Sequence, residues 1–287
     1  MARIVLLHHI DDNFFHFNRR FGLRRKQSVF MMKSVLDDLA RRGHRIRYES
    51  DPDRVSGGDL LILHVNLSRV PAAFLAAAAR FPASINAAVT DISKRSYSQL
   101  LVVADSDWDG PVIVKSNLNY HGLPEVWHNE RASARGLDAP YPDVRPVMDY
   151  DIYPRLSEVP EPCWTDPMRV VEKFIPEVVK DGFGVRAYIF CGAAERCTLH
   201  VAPTGIVKGE GIIRSEVVPV PPQLRQLRDR MGFDYGKFDF VMHNGAPVLL
   251  DANKTPSGVS ARGTISHHIA QGNRTLADGL EGLLRAP

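Results

Sequence analysis

Two aspartates and an asparagine occur at close spacing in the segment KFDFVMHNGAPVLLDANKTPSG. Asn244-Gly245 marks a turn between two apolar-rich arms. Asp239 lies on the first arm, and Asp251 and Asn253 lie on the second. Oxygen ligands without histidine or cysteine suit a hard cation such as Mg²⁺, which takes few protein ligands and completes its shell with water and phosphate. The pattern predicts a metal site, and the competing interpretation is the solvated outer face of an ordinary hairpin.

The alternation of side chains along the two arms predicts which residues share a face. On these arms the even-numbered side chains are all apolar. One buried face requires even positions to pair with even positions, and hence a loop of odd length. We therefore expect a three-residue turn, His243-Asn244-Gly245, with Gly245 in the left-handed conformation. Lys237 would then share the polar face with the three candidate metal ligands.

Two cations interrupt segments that are otherwise apolar and strand-like. Lys115 ends the segment PVIVK, and Arg186 lies within GVRAYIF. Each is expected to meet an anion, because a buried cation without one is costly. The loop after Lys115 contains Asn119 and Gly122 and offers backbone N–H groups of the kind that bind phosphate. The competing interpretation is a strand-end lysine that reaches solvent.

The secondary structure that positions these candidate site residues begins with the first 88 residues. Strands are predicted over 3–7, 44–50 and 59–66, and helices over about 29–42 and 71–80. This alternation favours a small α/β domain with a mostly parallel sheet. No GxGxxG follows the first strand, which disfavours a dinucleotide-binding site.

The remaining residues have a different texture, with strands and helices in separate runs, which favours an α+β arrangement. The polar, proline-rich stretch 128–167 is interpreted as an extended loop over a small subdomain. The other predicted elements are a short helical segment (93–101), a strand (111–115), a loop (116–124), strands from 169 onward, a helix (221–231), the hairpin, and a helical stretch to about 285.

The composition is that of an ordinary globular protein, with 287 residues of which 44% are hydrophobic and 24% charged. A net charge of +3 is too small to indicate a nucleic-acid partner. No apolar run has membrane-spanning length. The three cysteines form no CxxC pair, which favours free thiols in a reducing cytoplasm. The expectation is a cytoplasmic enzyme, with a homodimer as the general default.

In this order, the residues resemble the ATP-grasp superfamily of carboxylate–amine/thiol ligase-like enzymes, over roughly 90–260. Lys115 is similar to the strand lysine that contacts the nucleotide phosphates in that family. Lys94, in DISKRSY, resembles the earlier of its two phosphate lysines, and Arg186 resembles its phosphate-facing arginine. Lys237 stands where relatives often carry an arginine. The resemblance implies that Arg186 and Lys237 neutralise charge on the transferring phosphoryl group.

The segment VVEKFIPE resembles the hinge strand of the same superfamily. The resemblance implies that Glu172 accepts a hydrogen bond from the adenine amino group and that Glu177 lies near the ribose. It also implies that Lys173, Phe174 and Ile175 offer backbone groups to the adenine edge.

The metal candidates reproduce the superfamily's pattern of acid, acid and asparagine, and so imply two Mg²⁺ ions. Asp251 departs from that pattern, because relatives usually carry a glutamate there. The implied fold is an N-terminal Rossmann-like pre-ATP-grasp domain (1–88), a small lid subdomain (89–174) and a C-terminal antiparallel-sheet subdomain with the metal site (175–287).

The implied activity is that of an ATP-dependent ligase. It activates a small-molecule or peptide carboxylate as an acyl phosphate and couples it to an amine. Three alternatives stay open: an ATP-grasp kinase, a nucleotide-binding protein without turnover, and a peptide-modifying ligase whose basic segment grips an acidic peptide. That segment contains Arg19, Arg20, Arg24, Arg25 and Lys26, and its competing interpretation is a solvated helix start.

Overall fold

The computed structural model describes residues 1–20, 23–257 and 267–284, and for 16–20, 23–27 and 267–271 its description is confined to the backbone. The basic side chains between Arg19 and Lys26 therefore lie outside the described residues. The backbone there forms an antiparallel pair of strands, β2 (His16–Arg20) and β3 (Leu23–Gln27).

An all-parallel sheet of four strands forms from the N-terminal segments and confirms the predicted α/β arrangement. Its elements are β1 (Arg3–Leu7), α1 (Met31–Arg41), β4 (Arg45–Glu49), β5 (Leu60–Leu63), α2 (Ala72–Ala78) and β6 (Ser84–Ile85). The strand order is β4-β1-β5-β6. Alternate side chains of β1 enter two different cores: Ile4 packs with Leu36 of α1, and Val5 packs with Phe74 of α2. Helices on both faces explain why these strands read as continuous apolar runs.

A three-stranded antiparallel sheet follows, in the order β8-β7-β9. The elements of this part are α3 (Lys94–Tyr97), β7 (Val112–Ser116), α4 (Leu123–Ala134), β8 (Asp151–Tyr153), α5 (Glu161–Thr165) and β9 (Arg169–Lys173). The prediction of loop from 116 to 124 and from 128 to 167 is wrong where α4 forms. Helix α4 buries Glu125 and His128 along with Pro124 and Ala132, so half of its buried residues are polar and the apolar periodicity that reveals a helix is weak.

The last part contains a six-stranded antiparallel sheet and two helices. Its elements are β10 (Glu177–Val179), β11 (Gly182–Cys191), β12 (Ala194–Ala202), β13 (Arg214–Val218), α6 (Pro222–Arg230), β14 (Tyr235–His243), β15 (Ala246–Asn253) and α7 (His267–Leu283). The order is β13-β12-β11-β14-β15, with β10 beside β11. The three larger sheets lie within 1–88, 89–174 and 175–287, and the division of the chain into domains at these boundaries stays a prediction.

Helix α7 packs back onto the N-terminal part of the molecule. Its Leu276, Ala277 and Leu280 share a core with Leu36 and Leu39 of α1. The last helix thus ties the six-stranded sheet to the parallel sheet. Within the described ranges, none of the helices combines the length and apolar character needed to cross a bilayer.

Candidate functional site

A cavity of about 510 Å³ is lined by residues of the three-stranded and the six-stranded sheet together. Of the residues singled out from the sequence, eleven line it: Lys94, Lys115, Asn119, Glu172, Lys173, Phe174, Ile175, Lys237, Asp239, Asp251 and Asn253. Gly122, Glu177 and Arg186 are not among the described residues that line it. Because strands β7, β9, β14 and β15 all contribute, residues from distant parts of the chain meet in this cavity.

The hairpin β14–β15 turns through two residues and not through three. His243 pairs with Ala246, so Asn244 and Gly245 alone form the loop, with φ values of 50° and 77°. Positive φ at both loop positions is characteristic of a type I′ turn. The expected three-residue turn is therefore wrong. Asparagine tolerates the left-handed conformation, so the Asn-Gly pair closes the tighter loop.

A β-bulge in the hairpin supplies the extra residue that the turn does not. Phe240 pairs with Leu249 and Asp239 pairs with Asp251, which leaves Leu250 without a counterpart on β14. Leu249 is buried in the core with Phe240, whereas Leu250 faces the cavity. The expected alternation, with Leu250 buried and Leu249 on the polar face, is therefore wrong on the turn side of the bulge.

Beyond the bulge, four polar side chains share the face that lines the cavity, as the alternation predicted. Asp239 lies opposite Asp251, and Lys237 lies opposite Asn253. Each carboxylate has a lysine beside it. Lys237 Nζ is 2.8 Å from Asp239 Oδ2, and Lys94 Nζ is 2.9 Å from Asp251 Oδ1.

The attraction within these pairs outweighs the effect of burial on the charges. Burial by itself disfavours the ammonium of Lys94, but the Asp251 carboxylate raises the pKa of Lys94 above its ordinary value. Burial also disfavours the Asp251 carboxylate, and the Lys94 ammonium lowers the pKa of Asp251 nonetheless. Asp239 raises the pKa of Lys237 in the same way. Both lysines and Asp251 are therefore charged near neutral pH.

A third pair lies deeper in the same cavity. Lys115 Nζ is 2.5 Å from Glu172 Oε2 and also donates to the carbonyl of Leu250 at 3.2 Å. Both side chains are buried. Burial lowers the pKa of Lys115, although the Glu172 carboxylate opposes the shift. The expectation that Lys115 meets an anion is confirmed, and the anion is Glu172, which the resemblance had instead placed against adenine.

The segment that follows β9 forms one edge of the cavity. The backbone N–H groups of Lys173 and Phe174 already donate to the carbonyls of Leu100 and Pro111, at 2.8 and 2.9 Å. The side chain of Lys173 extends over the Trp108 ring, 4.8 Å from its centroid. Because these two N–H groups are engaged, Ile175 is the residue of this segment that we expect to offer an N–H to a ligand.

Arg186 and Glu177 form an ion pair beside the cavity. Arg186 Nη2 is 2.6 Å from Glu177 Oε1, and the N–H of Met242 donates to Glu177 at 2.7 Å. The Glu177 carboxylate raises the pKa of Arg186 by hydrogen bonding. The anion that the sequence demanded for Arg186 is thus a protein carboxylate. Gly122 takes the left-handed conformation (φ 78°) at the start of α4.

Several cavity residues were missed from the sequence. His200 lines the cavity, and its Nδ1 is 2.8 Å from Ser215 Oγ. The loop between β12 and β13 contributes Gly205 to Gly209, and Lys208 of this loop lies over the Tyr150 ring at 4.1 Å. The glycines of TGIVKGEG were the available signal for a loop that closes on a ligand.

No model of a known protein family matches the sequence, and no curated protein matches it. Solved structures do resemble it. A RimK domain ATP-grasp protein of Sphaerobacter thermophilus is 12% identical, with 98% of this chain and 100% of that one covered and a TM-score of 0.51. The D-alanine–D-alanine ligase of Bacillus anthracis is 12% identical, with 99% and 97% covered and a TM-score of 0.46. A RiPP-associated ATP-grasp ligase of Chryseobacterium gregarium, in complex with ADP and a leader and core peptide, is 11% identical, with 100% and 98% covered and a TM-score of 0.47. The first of these likenesses extends over both chains and confirms the resemblance at the level of the fold: this chain has the ATP-grasp fold.

Proposed function

We propose that this protein is an ATP-dependent ligase that phosphorylates a substrate carboxylate and then passes the acyl group to an amine. One observation carries the proposal: three lysines and three carboxylates meet in ion pairs within one cavity of about 510 Å³. That volume lies in the range of small-molecule sites. The lysines would bind the nucleotide phosphates, and two of the carboxylates would bind metal ions. The fold is compatible with both kinds of binding.

The nucleotide would lie with its base against Phe174 and Ile175 and its phosphates toward Lys94, Lys115 and Lys237. The Ile175 N–H would meet the adenine edge, for the reason given above. Asn119 lines the phosphate end. Arg186 is proposed as a support of the site through Glu177 and not as a direct phosphate ligand, because its guanidinium already has a buried carboxylate partner.

Mg²⁺ fits the donor set on the hairpin face. Asp239 and Asp251 offer carboxylate oxygens, and Asn253 offers its amide oxygen, which also accepts from the Thr255 N–H at 2.8 Å. Two carboxylates that lie opposite one another repel unless cations stand near them. We propose that these residues hold two ions together with the nucleotide phosphates. Bound there, the ions would neutralise charge on the transferring phosphoryl group.

The ion pairs suggest that nucleotide and metal bind together. A phosphate that takes Lys94 or Lys237 leaves Asp251 or Asp239 without its cation, and a metal ion that takes the aspartate leaves the lysine without its anion. Either exchange alone strands a charge in a buried site, which is costly. Binding both ligands replaces each partner at once, so MgATP should bind far better than ATP or Mg²⁺ alone.

The chemistry requires no protein nucleophile. A carboxylate oxygen of the substrate attacks the γ-phosphorus, the bond to the β–γ bridging oxygen breaks, and ADP leaves. The amine nitrogen then attacks the acyl carbon, phosphate leaves, and the nitrogen loses a proton. Lys94, Lys115 and Lys237 would balance the charge of the equatorial oxygens, which is the main contribution of protein groups in phosphoryl transfer.

The proposal can be tested by ADP release against pooled small-molecule and peptide carboxylates, with hydroxylamine as the nucleophile. A ligase releases ADP and forms a hydroxamate in equal amounts. Release of ADP without hydroxamate contradicts the acyl phosphate and indicates a kinase. Absence of both products, with MgATP still raising the melting temperature, indicates a nucleotide-binding protein without turnover.

A further inference from the structure

A second polar site lies at the carboxyl ends of the parallel strands, where ligands bind in open α/β sheets. The segment after β5 donates two backbone hydrogen bonds there: Asn66 N–H to Asp12 Oδ2 at 3.0 Å, and Ser68 N–H to Glu125 Oε1 at 2.7 Å. Lys254 lies in the field of both carboxylates. We call this region, formed by His64, Asn66 and Ser68 together with Asp12, Glu125 and Lys254, the seam.

The seam adjoins the part of the cavity that contains Asn253, one of the candidate metal ligands. Thr255 Oγ1 donates to Asn66 Oδ1 at 2.7 Å, and the N–H of Asn119 donates to Ser68 Oγ at 2.9 Å. Asn119 and Asn253 line the cavity, and Lys254 and Thr255 follow Asn253 directly in the chain. A molecule held in the seam would therefore be next to a phosphoryl group held at the hairpin.

The seam contains buried polar atoms that have no hydrogen-bond partner among the described residues. They are Lys254 Nζ, Glu125 Oε2 and both ring nitrogens of His64. The three residues are 2%, 4% and 1% exposed. Buried polar atoms are nearly always satisfied in folded proteins, so several together point to a missing partner.

The unpartnered atoms specify the chemistry of that partner. Lys254 requires an acceptor, best met by a carboxylate, and the free oxygen of Glu125 requires a donor, best met by an ammonium group. Asp12 already has partners, His128 Nε2 at 2.9 Å and the N–H groups of His9 and Asn66, so the requirements that stay open are those of Lys254 and Glu125. A zwitterion meets both, and water, which both donates and accepts, is its competitor.

We propose that the seam binds the head group of an α-amino acid, with its carboxylate at Lys254 and its ammonium at Glu125. The assignment rests on the proposed function and gives its carboxylate substrate a class. Lys254 follows the candidate metal ligand Asn253, so the bound carboxylate would lie beside the γ-phosphate that it attacks. Glu125 anchors the other end and orients the molecule.

Thermal melting in the absence of nucleotide tests this on the full chain. The probes are D- and L-alanine, propionate and ethylammonium, each at 50 mM and equal ionic strength. At least one alanine enantiomer should raise the melting temperature by about 2–3 °C, as expected for binding with a dissociation constant of about 5 mM. Propionate and ethylammonium, which carry one charge each, should give less than a third of that rise.

Two variants locate the site. Lys254→Met removes the carboxylate partner at nearly constant volume, and Glu125→Gln removes the charge but keeps an acceptor for the Ser68 N–H. Each should abolish the rise with alanine. The rise with MgATP, measured in the same samples, should persist in both, which shows that the variants are folded and that the nucleotide site is intact.

Three outcomes overturn the proposal. No rise in melting temperature with any probe is expected if water fills the seam, and an equal rise with propionate indicates an anion site only. An undiminished rise with alanine in both variants shows that alanine binds elsewhere. If MgATP raises the melting temperature of the wild type and alanine does not, the seam assignment fails while the nucleotide site stands. If MgATP gives no rise, the proposed function fails independently of the alanine result.

Discussion

The cavity and the seam are two buried polar regions that adjoin one another and treat charge in opposite ways. In the cavity, each of three carboxylates lies within 3 Å of a lysine. In the seam, Lys254 and one oxygen of Glu125 are buried without a hydrogen-bond partner among the described residues. Each carboxylate of the first region thus has a lysine beside it, whereas Lys254 in the second region has no ion-pair or hydrogen-bond partner among the described residues.

This difference bears on what each region can bind. In a site made of ion pairs, a ligand that carries both signs of charge can replace the partner of each side chain. MgATP is such a ligand, because its phosphates are anionic and its metal ion is cationic. An unpaired site gains from any molecule that satisfies it, because the cost of its burial is already present in the folded protein. We therefore expect the cavity to require nucleotide and metal together, and the seam to bind its ligand without either.

The largest effect should come from removing the carboxylates on the hairpin face. Asp239→Asn together with Asp251→Asn leaves amides of the same shape that hold Mg²⁺ poorly, so ADP release should fall by about 10³-fold or more. The rise in melting temperature with MgATP should also disappear. Glu195→Gln is the matched control, because Glu195 pairs with Arg225 outside the cavity. Turnover that survives in the double variant excludes these aspartates as metal ligands.

A smaller effect on activity is expected for the ion pair of Arg186 and Glu177, which lies beside the cavity and not within it. Arg186→Met leaves the buried Glu177 carboxylate without its cation, which should destabilise the fold by about 2–4 kcal/mol. The kcat/KM for MgATP should change by less than about tenfold, because a supporting group acts on the fold more than on the reaction. Chemical denaturation measures the loss of stability, and steady-state kinetics measures the change in kcat/KM.

The double variant Arg186→Met with Glu177→Gln sharpens that test. It removes both charges and should recover part of the lost stability. If Arg186 instead contacts the phosphates, as the resemblance implies, kcat/KM falls by 10²-fold or more and stays low in the double variant.

The sequence was informative where chemistry follows local spacing. The alternation on the hairpin arms grouped Asp239, Asp251 and Asn253 on one face, and a cation inside an apolar strand demanded an anion for Lys115. The identity of that anion was not readable, because Glu172 reaches Lys115 through pairing of β7 with β9. Contacts between distant segments depend on register, and one sequence does not specify register by itself.

Two features, the turn of the hairpin and helix α4, were predicted wrongly from the sequence. The parity of the hairpin required one extra residue, and a three-residue turn and a β-bulge satisfy that requirement equally. The protein uses the bulge at Leu250. Helix α4 was missed because two of its four buried residues, Glu125 and His128, are polar and make contacts with Ser68 and Asp12 that the sequence does not display.

An effect that appears only at acid pH concerns His64, the buried histidine of the seam. His64 is buried in T-shaped contact with the rings of Phe14 and Phe30, and the charged groups of Asp12, His8 and Lys254 act on it electrostatically. Burial lowers the pKa of His64 from 6.5 to about 4, although Asp12 opposes the shift. Between these values the unfolded chain binds more protons than the folded protein, so the free energy of unfolding should fall as the pH drops from 6.5 toward 4.

Denaturant unfolding across this window measures the effect. His64 should account for a loss on the order of 3 kcal/mol, and His64→Asn, which has no charge to gain, should lose that much less over the same window. His243→Asn is the matched control, because His243 is exposed at the end of β14 and should leave the wild-type curve unchanged. An identical pH dependence in wild type and His64→Asn would mean that His64 becomes protonated without opposing the fold, and that the seam tolerates a further positive charge. The distinction between a cavity filled with charges and a seam that keeps its imidazole neutral would then be lost.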